Sequence, residues 1–141
     1  ELKSVFDTYF ALKDALVKSD GSLASMQAKK MLVSMNKVNM KNLATEEHTV
    51  WMKVMKDLVL DTEHIEETQN ADHQREHFTR LSDNVYQLLK VSKQETSTYY
   101  QHCTMYNDGE GANWLSKEKA VKNPYYGAQM LTCGKTIEEI K

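Results

Sequence analysis

The sequence predicts an all-α fold: an antiparallel up-down four-helix bundle with a C-terminal irregular or β-hairpin segment packed on it. Three observations carry this. Apolar residues recur at three- and four-residue steps through most of the first 92 residues. The links between those stretches are short, which favours antiparallel neighbours. After Lys93 the helical period stops, and both cysteines, the only proline and four of the five glycines follow.

Leu2, Val5, Phe6, Tyr9, Phe10, Leu12, Leu16 and Val17 define a first helix over 2–18. Ser19-Asp20-Gly21-Ser22 breaks it, with Asp20 or Ser22 placed to cap the next helix. That second helix, 23–39, carries Leu23, Met26, Met31, Leu32, Met35 and Val38 on its apolar face. Residues 40–44 read as a connection. Thr45 is a cap for a third helix over 46–68, with Glu46 and Glu47 at its positive end and a stripe of Trp51, Val54, Met55, Leu58, Val59, Thr62 and Ile65. A single helix over 46–92 would be about 70 Å long at 1.5 Å per residue, too long for a domain of this size. A turn near Asn70 is therefore expected. The fourth helix, 71–92, turns Phe78, Leu81, Val85, Leu88 and Leu89 inward. Of the eight methionines, six read as adaptable core filler on these helices.

Beyond Lys93, Thr98–Cys103 has strand propensity. Asn107-Asp108-Gly109-Glu110-Gly111 is a turn signal, and Ala112–Ser116 returns as the second strand of a hairpin. Ser116–Lys119 starts a short turn of helix, which Asn123-Pro124 then disfavours. The tail after Thr136 offers only Ile137 and Ile140 as anchors. The whole reads as one domain, 1–141, with the bundle in 1–92 and the cysteine-methionine segment in 93–141.

The net charge is −2 with the signs interspersed, which argues against a nucleic-acid partner. No apolar run approaches the roughly 18 residues of a membrane span. No Ser-His-Asp set, phosphate loop or paired-carboxylate pattern stands out, so no enzymatic activity is expected.

The chemistry-bearing residues are sulfurs and imidazoles. Cys103 and Met105 are two apart, and on an extended strand they share a face. Met130 and Cys133 are three apart and converge from a turn. Thiolate and thioether donors favour Cu(I) over hard cations, and zinc accepts the thiolates with any histidines. The same spacing also permits a Cys103–Cys133 disulfide or two inert buried thiols. His73 and His77 stand four apart on the fourth helix and share a face, a metal-binding spacing and equally a solvated one. His48 and His64 have no partner at ligand spacing. His102 points away from Cys103. Arg75 and Asp72, three apart, pair on the helix surface.

Several of these stretches resemble a known family. Tyr100-Gln101-His102-Cys103-Thr104-Met105 resembles its Y-x-x-C-P-M signature, with Thr104 in place of the proline. Asn123-Pro124-Tyr125-Tyr126-Gly127 and Met130-Leu131-Thr132-Cys133-Gly134 resemble its C-terminal motif. Gln74–Phe78 with Leu81-Ser82, and Leu12–Leu16, resemble its helical motifs. The family is an uncharacterised helical domain found alone in secreted or lipid-anchored Bacteroidetes proteins and fused to periplasmic adaptors of copper/silver efflux pumps. The resemblance implies a periplasmic or cell-surface place, reached by an export signal outside this stretch, and a heavy-metal efflux system as partner. It also implies a ligand set of Cys103, Met105, Met130 and Cys133 with His77 and His73. The expectation is thus a non-catalytic module holding Cu(I), with zinc as a second metal. The competing expectation is a structural or protein-interaction domain closed by a Cys103–Cys133 disulfide.

Overall fold

The computed structural model describes all of residues 1–141 and corrects the all-α expectation. Four helices are present, but the C-terminal part adds a three-stranded antiparallel sheet, so the fold is mixed. The helices are α1 (Lys3–Val17), α2 (Gly21–Asn36), α3 (Thr45–Glu66) and α4 (Ala71–Lys90), with a 3-10 turn at Met40–Asn42. Asp20 caps α2 by accepting from the Leu23 amide at 3.0 Å, and Asn70 caps α4 by accepting from that of His73 at 3.0 Å. Ala44, not Thr45, stands at the cap of α3, and its own amide donates to the Glu47 carboxylate at 3.0 Å.

The hairpin forms as β1 (Thr98–Cys103) and β2 (Ala112–Ser116), with Cys103 opposite Ala112 and Tyr99 opposite Ser116. The tail, expected to be merely anchored, forms a third strand, β3 (Lys135–Ile140). It pairs with the other edge of β1, giving the order β2-β1-β3. No helical turn forms over Ser116–Lys119; a 3-10 turn occurs instead at Gly127–Met130. The third strand left no hydrophobic trace because it is held through its backbone: only Ile140 is buried.

The sheet has a structural reason to exist. Successive helices pack on one another, but α1 and α4 barely meet, and β2 runs between them. Trp114 and Leu115 of β2, both fully buried, supply the apolar surface that a closed bundle would take from helix–helix contact. The Tyr9 hydroxyl, on α1, pairs with Ser82 Oγ of α4 at 2.8 Å and accepts from the Leu115 amide at 3.1 Å. One phenol therefore ties three elements together. Its pKa is raised, chiefly by burial. One apolar cluster draws on all four helices and all three strands.

Other buried polar groups fix the helix ends. The Gln74 amide donates to the carbonyls of Gly21 (2.9 Å), Ile65 (3.2 Å) and Thr68 (2.7 Å). Gly21 must be glycine, because a Cβ there would stand 1.8 Å from the Gln69 carbonyl oxygen. The methionines depart from expectation. Met31 and Met35 are core, but Met26, Met40 and Met52 are 41–52% exposed. The buried stripe of α2 is Ala24, Ala28, Met31 and Met35, rotated away from Met26.

Replacing Tyr9 by Phe keeps the ring but orphans the Leu115 amide and the Ser82 hydroxyl. Urea denaturation is expected to show a loss of about 1–3 kcal/mol; an unchanged midpoint would contradict the three-element tie.

Candidate functional site: a cysteine pair held by a buried asparagine

The segment after β2 is folded by local polar chemistry more than by apolar burial. Asn123, fully buried, is its hub. Its side-chain oxygen accepts from the amides of Tyr125 (2.7 Å) and Tyr126 (3.2 Å), an Asx turn that Pro124 pre-forms. Its side-chain nitrogen donates to the Cys133 carbonyl at 2.8 Å, and its backbone amide to that of Leu131 at 2.7 Å. Gly127 completes the turn at φ +58°, where a Cβ would stand 2.6 Å from Ser19 Oγ.

This turn is locked to the helices by Arg75. The guanidinium is buried and donates to the carbonyls of Pro124 (2.7 Å) and Leu16 (2.8 Å), to Ser19 Oγ (2.8 Å) and to Asp72 (3.1 Å). The expected Arg75–Asp72 pair is present, but Asp72 is 93% exposed while Arg75 is not. The guanidinium is held mainly by neutral oxygens of α1, its following turn and the Asn123-Pro124 loop. Phe78 of α4, Tyr125, Tyr106 and Tyr126 continue the contact as a chain of rings with successive centroids 5.8, 4.5 and 5.8 Å apart.

The outcome is a convergence of the two cysteines across thirty residues. Cys103, fully buried at the end of β1, and Cys133, half-buried before β3, have their sulfurs 3.4 Å apart. Burial pushes the Cys103 thiol up. The amides of Met105 and Tyr106, the Cys133 thiol and the Asn123 side chain outweigh it and bring Cys103 below the ordinary thiol range. Cys133 moves the other way, because its proton is held in a hydrogen bond to Cys103 and burial adds to the effect. Cys103 is thus the first of the pair to ionise.

The remaining expected ligands fall in two places. Met105 lies in the turn after β1 and is 57% exposed; Met130 ends the 3-10 turn and is half-buried. Both lie between the two cysteines in sequence, each within three residues of one of them, on unbranched side chains. His77 and His73 lie elsewhere. His77 faces α3, with Nδ1 3.4 Å from Asp61 and its ring stacked on His64 at 4.6 Å. No histidine or carboxylate joins the cysteines as a third donor. His102 bonds Asn113 at 2.5 Å, away from Cys103. A cleft of about 550 Å³ opens near the start of α1 and the end of α4 and is lined by neither cysteine nor histidine.

Asn123 and Tyr126 are the site residues that sequence reasoning missed. The Asn-Pro dipeptide signals the turn, but nothing local signals that the asparagine reaches ten residues on to Cys133. His64 was partly readable: the turn at 67–70 sets α3 and α4 antiparallel, which brings the last turn of α3 beside the first turns of α4.

Helices packed in sequence, closed by a small sheet and carrying a cysteine pair on a buried turn, define a dithiol-bearing helix-and-sheet domain. The chain belongs to the family described as Protein of unknown function (DUF3347), whose model matches residues 5–97. The match covers the four helices with His73 and His77 and ends before β1, so the four sulfur residues lie outside it. No curated protein and no solved structure matches the chain.

Thiolate absorbance followed against pH is expected to rise in two steps, one below and one above the value of about 8.5 of a free cysteine. Two groups ionising together near that value would contradict this order of ionisation.

Proposed function

We propose that this protein is a non-catalytic module that holds a soft metal ion, Cu(I), between Cys103 and Cys133. The observation that carries the reading is the 3.4 Å separation of two free sulfurs brought together by buried polar groups. Two thiolates on one ion at about 2.3 Å stand from roughly 3.8 Å apart at a tetrahedral angle to about 4.6 Å when collinear. The half-buried Cys133 therefore needs to move by about 0.4 to 1.2 Å to bind. A two-sulfur set without histidine or carboxylate suits Cu(I), which accepts few soft donors, better than zinc, whose structural sites are four-coordinate. Met105 and Met130 supply thioether sulfur from either side. Cys103, already inclined to ionise, anchors the ion; Cys133 loses its proton when the ion arrives.

The wider setting rests on the resemblance of the C-terminal motifs: a periplasmic or cell-surface protein serving a heavy-metal efflux system by holding or passing on the ion. No helix is long and apolar enough to cross a membrane.

The same proximity favours a second reading. In an oxidising compartment the two thiols can lose two protons and two electrons to an oxidant and close a disulfide. The segment is then a covalent staple and the domain a structural or interaction module.

Reduced protein titrated with Cu(I) against a competing chelator is expected to bind one equivalent. Cys133→Ser should weaken binding at least a hundredfold and Met130→Leu by about tenfold. Unchanged affinity in Cys103→Ser/Cys133→Ser overturns the metal reading. Unreduced protein lighter by two hydrogens, with no Cu(I) bound after reduction, supports the disulfide reading instead.

A further inference from the structure

The face of α4 turned toward α3 carries a second group of metal-binding side chains. His73 and His77 stand one helical turn apart on α4. His64 of α3 lies across from them, its ring stacked on His77 with centroids 4.6 Å apart; the His73 ring meets His77 edge-on at 5.1 Å. Each imidazole turns its Nδ1 to a carboxylate. That of His77 is 3.4 Å from Asp61, that of His73 3.2 Å from Glu76, and that of His64 4.0 Å from Glu67. Their Nε2 atoms make no hydrogen bond to the protein. For His77, a buried carboxylate beside one imidazole nitrogen and an open second nitrogen is the arrangement that orients histidine toward a metal.

Asp61 sets this arrangement apart from an ordinary surface cluster. Its carboxylate is 3% exposed and accepts from Arg80 Nε (2.7 Å) and Nη2 (3.0 Å). It is therefore a fixed anchor for His77, inside the α3–α4 contact. His64 and His73 are 43% and 52% exposed, so both rings can turn at little cost. As they stand, His64 stacks on His77 and His73 meets it edge-on, and no three donors meet at one point. A shared ion requires the two exposed rings to turn away from Glu76 and Glu67 so that their Nε2 atoms meet that of His77. Arg80 is the opposing charge; Asp61 pairs it closely and Asp57 lies 3.9 Å from it.

We propose that His64, His73 and His77 form an imidazole site for a divalent late-transition-metal ion on the α3–α4 hairpin, separate from the cysteine pair. Imidazole donors take Zn(II), Cu(II) or Ni(II) rather than Cu(I). The fourth position is left to water or to Glu76 or Glu67. A bound ion clamps the ends of α3 and α4 on either side of the Asn70 turn. The proposal does not rest on the copper reading, since it uses none of the sulfur residues.

The intact reduced chain is titrated with Zn(II) by calorimetry, beside a His64→Gln/His73→Gln/His77→Gln variant. The variant is expected to bind one equivalent fewer, whatever the cysteines bind. His77→Gln alone should weaken that equivalent at least tenfold. His48→Gln, exposed at the start of α3, should leave it unchanged. Histidine ring-proton NMR signals read the ligands directly: Zn(II) should shift those of His64, His73 and His77 and spare His48. Equal stoichiometry and affinity in the triple variant, or a shift confined to one imidazole, overturns the proposal. Loss of the cysteine equivalent in Cys133→Ser with the histidine equivalent retained supports this site while bearing on the copper reading separately.

Discussion

The architecture of the C-terminal third depends on one buried cation. Arg75 rises from the second turn of α4 into a place where its only carboxylate partner is almost fully in water. Its charge is dispersed over two main-chain carbonyls and a hydroxyl instead. A guanidinium suits this because its donors are fixed in a fork and reach several oxygens at once. Removing it would leave the Pro124 carbonyl without a donor and the Leu16 carbonyl with only the Ser19 amide, a cost of about 1–3 kcal/mol for the orphaned acceptor. Through Pro124 the constraint passes to Asn123, and through Asn123 to the backbone of Cys133. The separation of the two sulfurs is thus set by polar contacts well away from sulfur.

Helix α4 serves two kinds of chemistry on two faces. Arg75 and Phe78 face the C-terminal loop, while His73, His77 and Arg80 face outward and toward α3. The sulfur residues and the imidazoles are consequently segregated, although a sequence view places His77 within reach of Cys103. Soft and borderline donors kept apart in this way would select different ions. The electrostatics of the cysteine pair point the same way: amide donors and a neighbouring thiol stabilise one thiolate without any nearby cation.

Much of the helical part was legible. The stripes on α1, α3 and α4 match the buried residues because each faces a core on one side only, which is the condition under which the 3.6-residue period is clean. The stripe of α2 was misjudged because its buried residues include Ala24 and Ala28, which give a weak signal beside the exposed Met26. The hairpin was legible from the strand propensity of Thr98–Cys103 and its Asn-Asp-Gly turn. Strand β3 was not, since main-chain pairing carries it and Lys135, Thr136, Glu138 and Glu139 show no apolar alternation. At the site, the convergence of Cys103 and Cys133 was inferable, while the depth of Asn123 and Arg75 was not. Both are polar residues whose burial follows only from tertiary partners distant in sequence.

X-ray absorption at the copper edge of reduced protein carrying one equivalent of Cu(I) tests the central claim most directly. The account predicts a first shell made of sulfur, which reverts to nitrogen and oxygen donors in Cys133→Ser. A shell of nitrogen and oxygen in the unaltered protein, or copper that does not survive gel filtration, would contradict it.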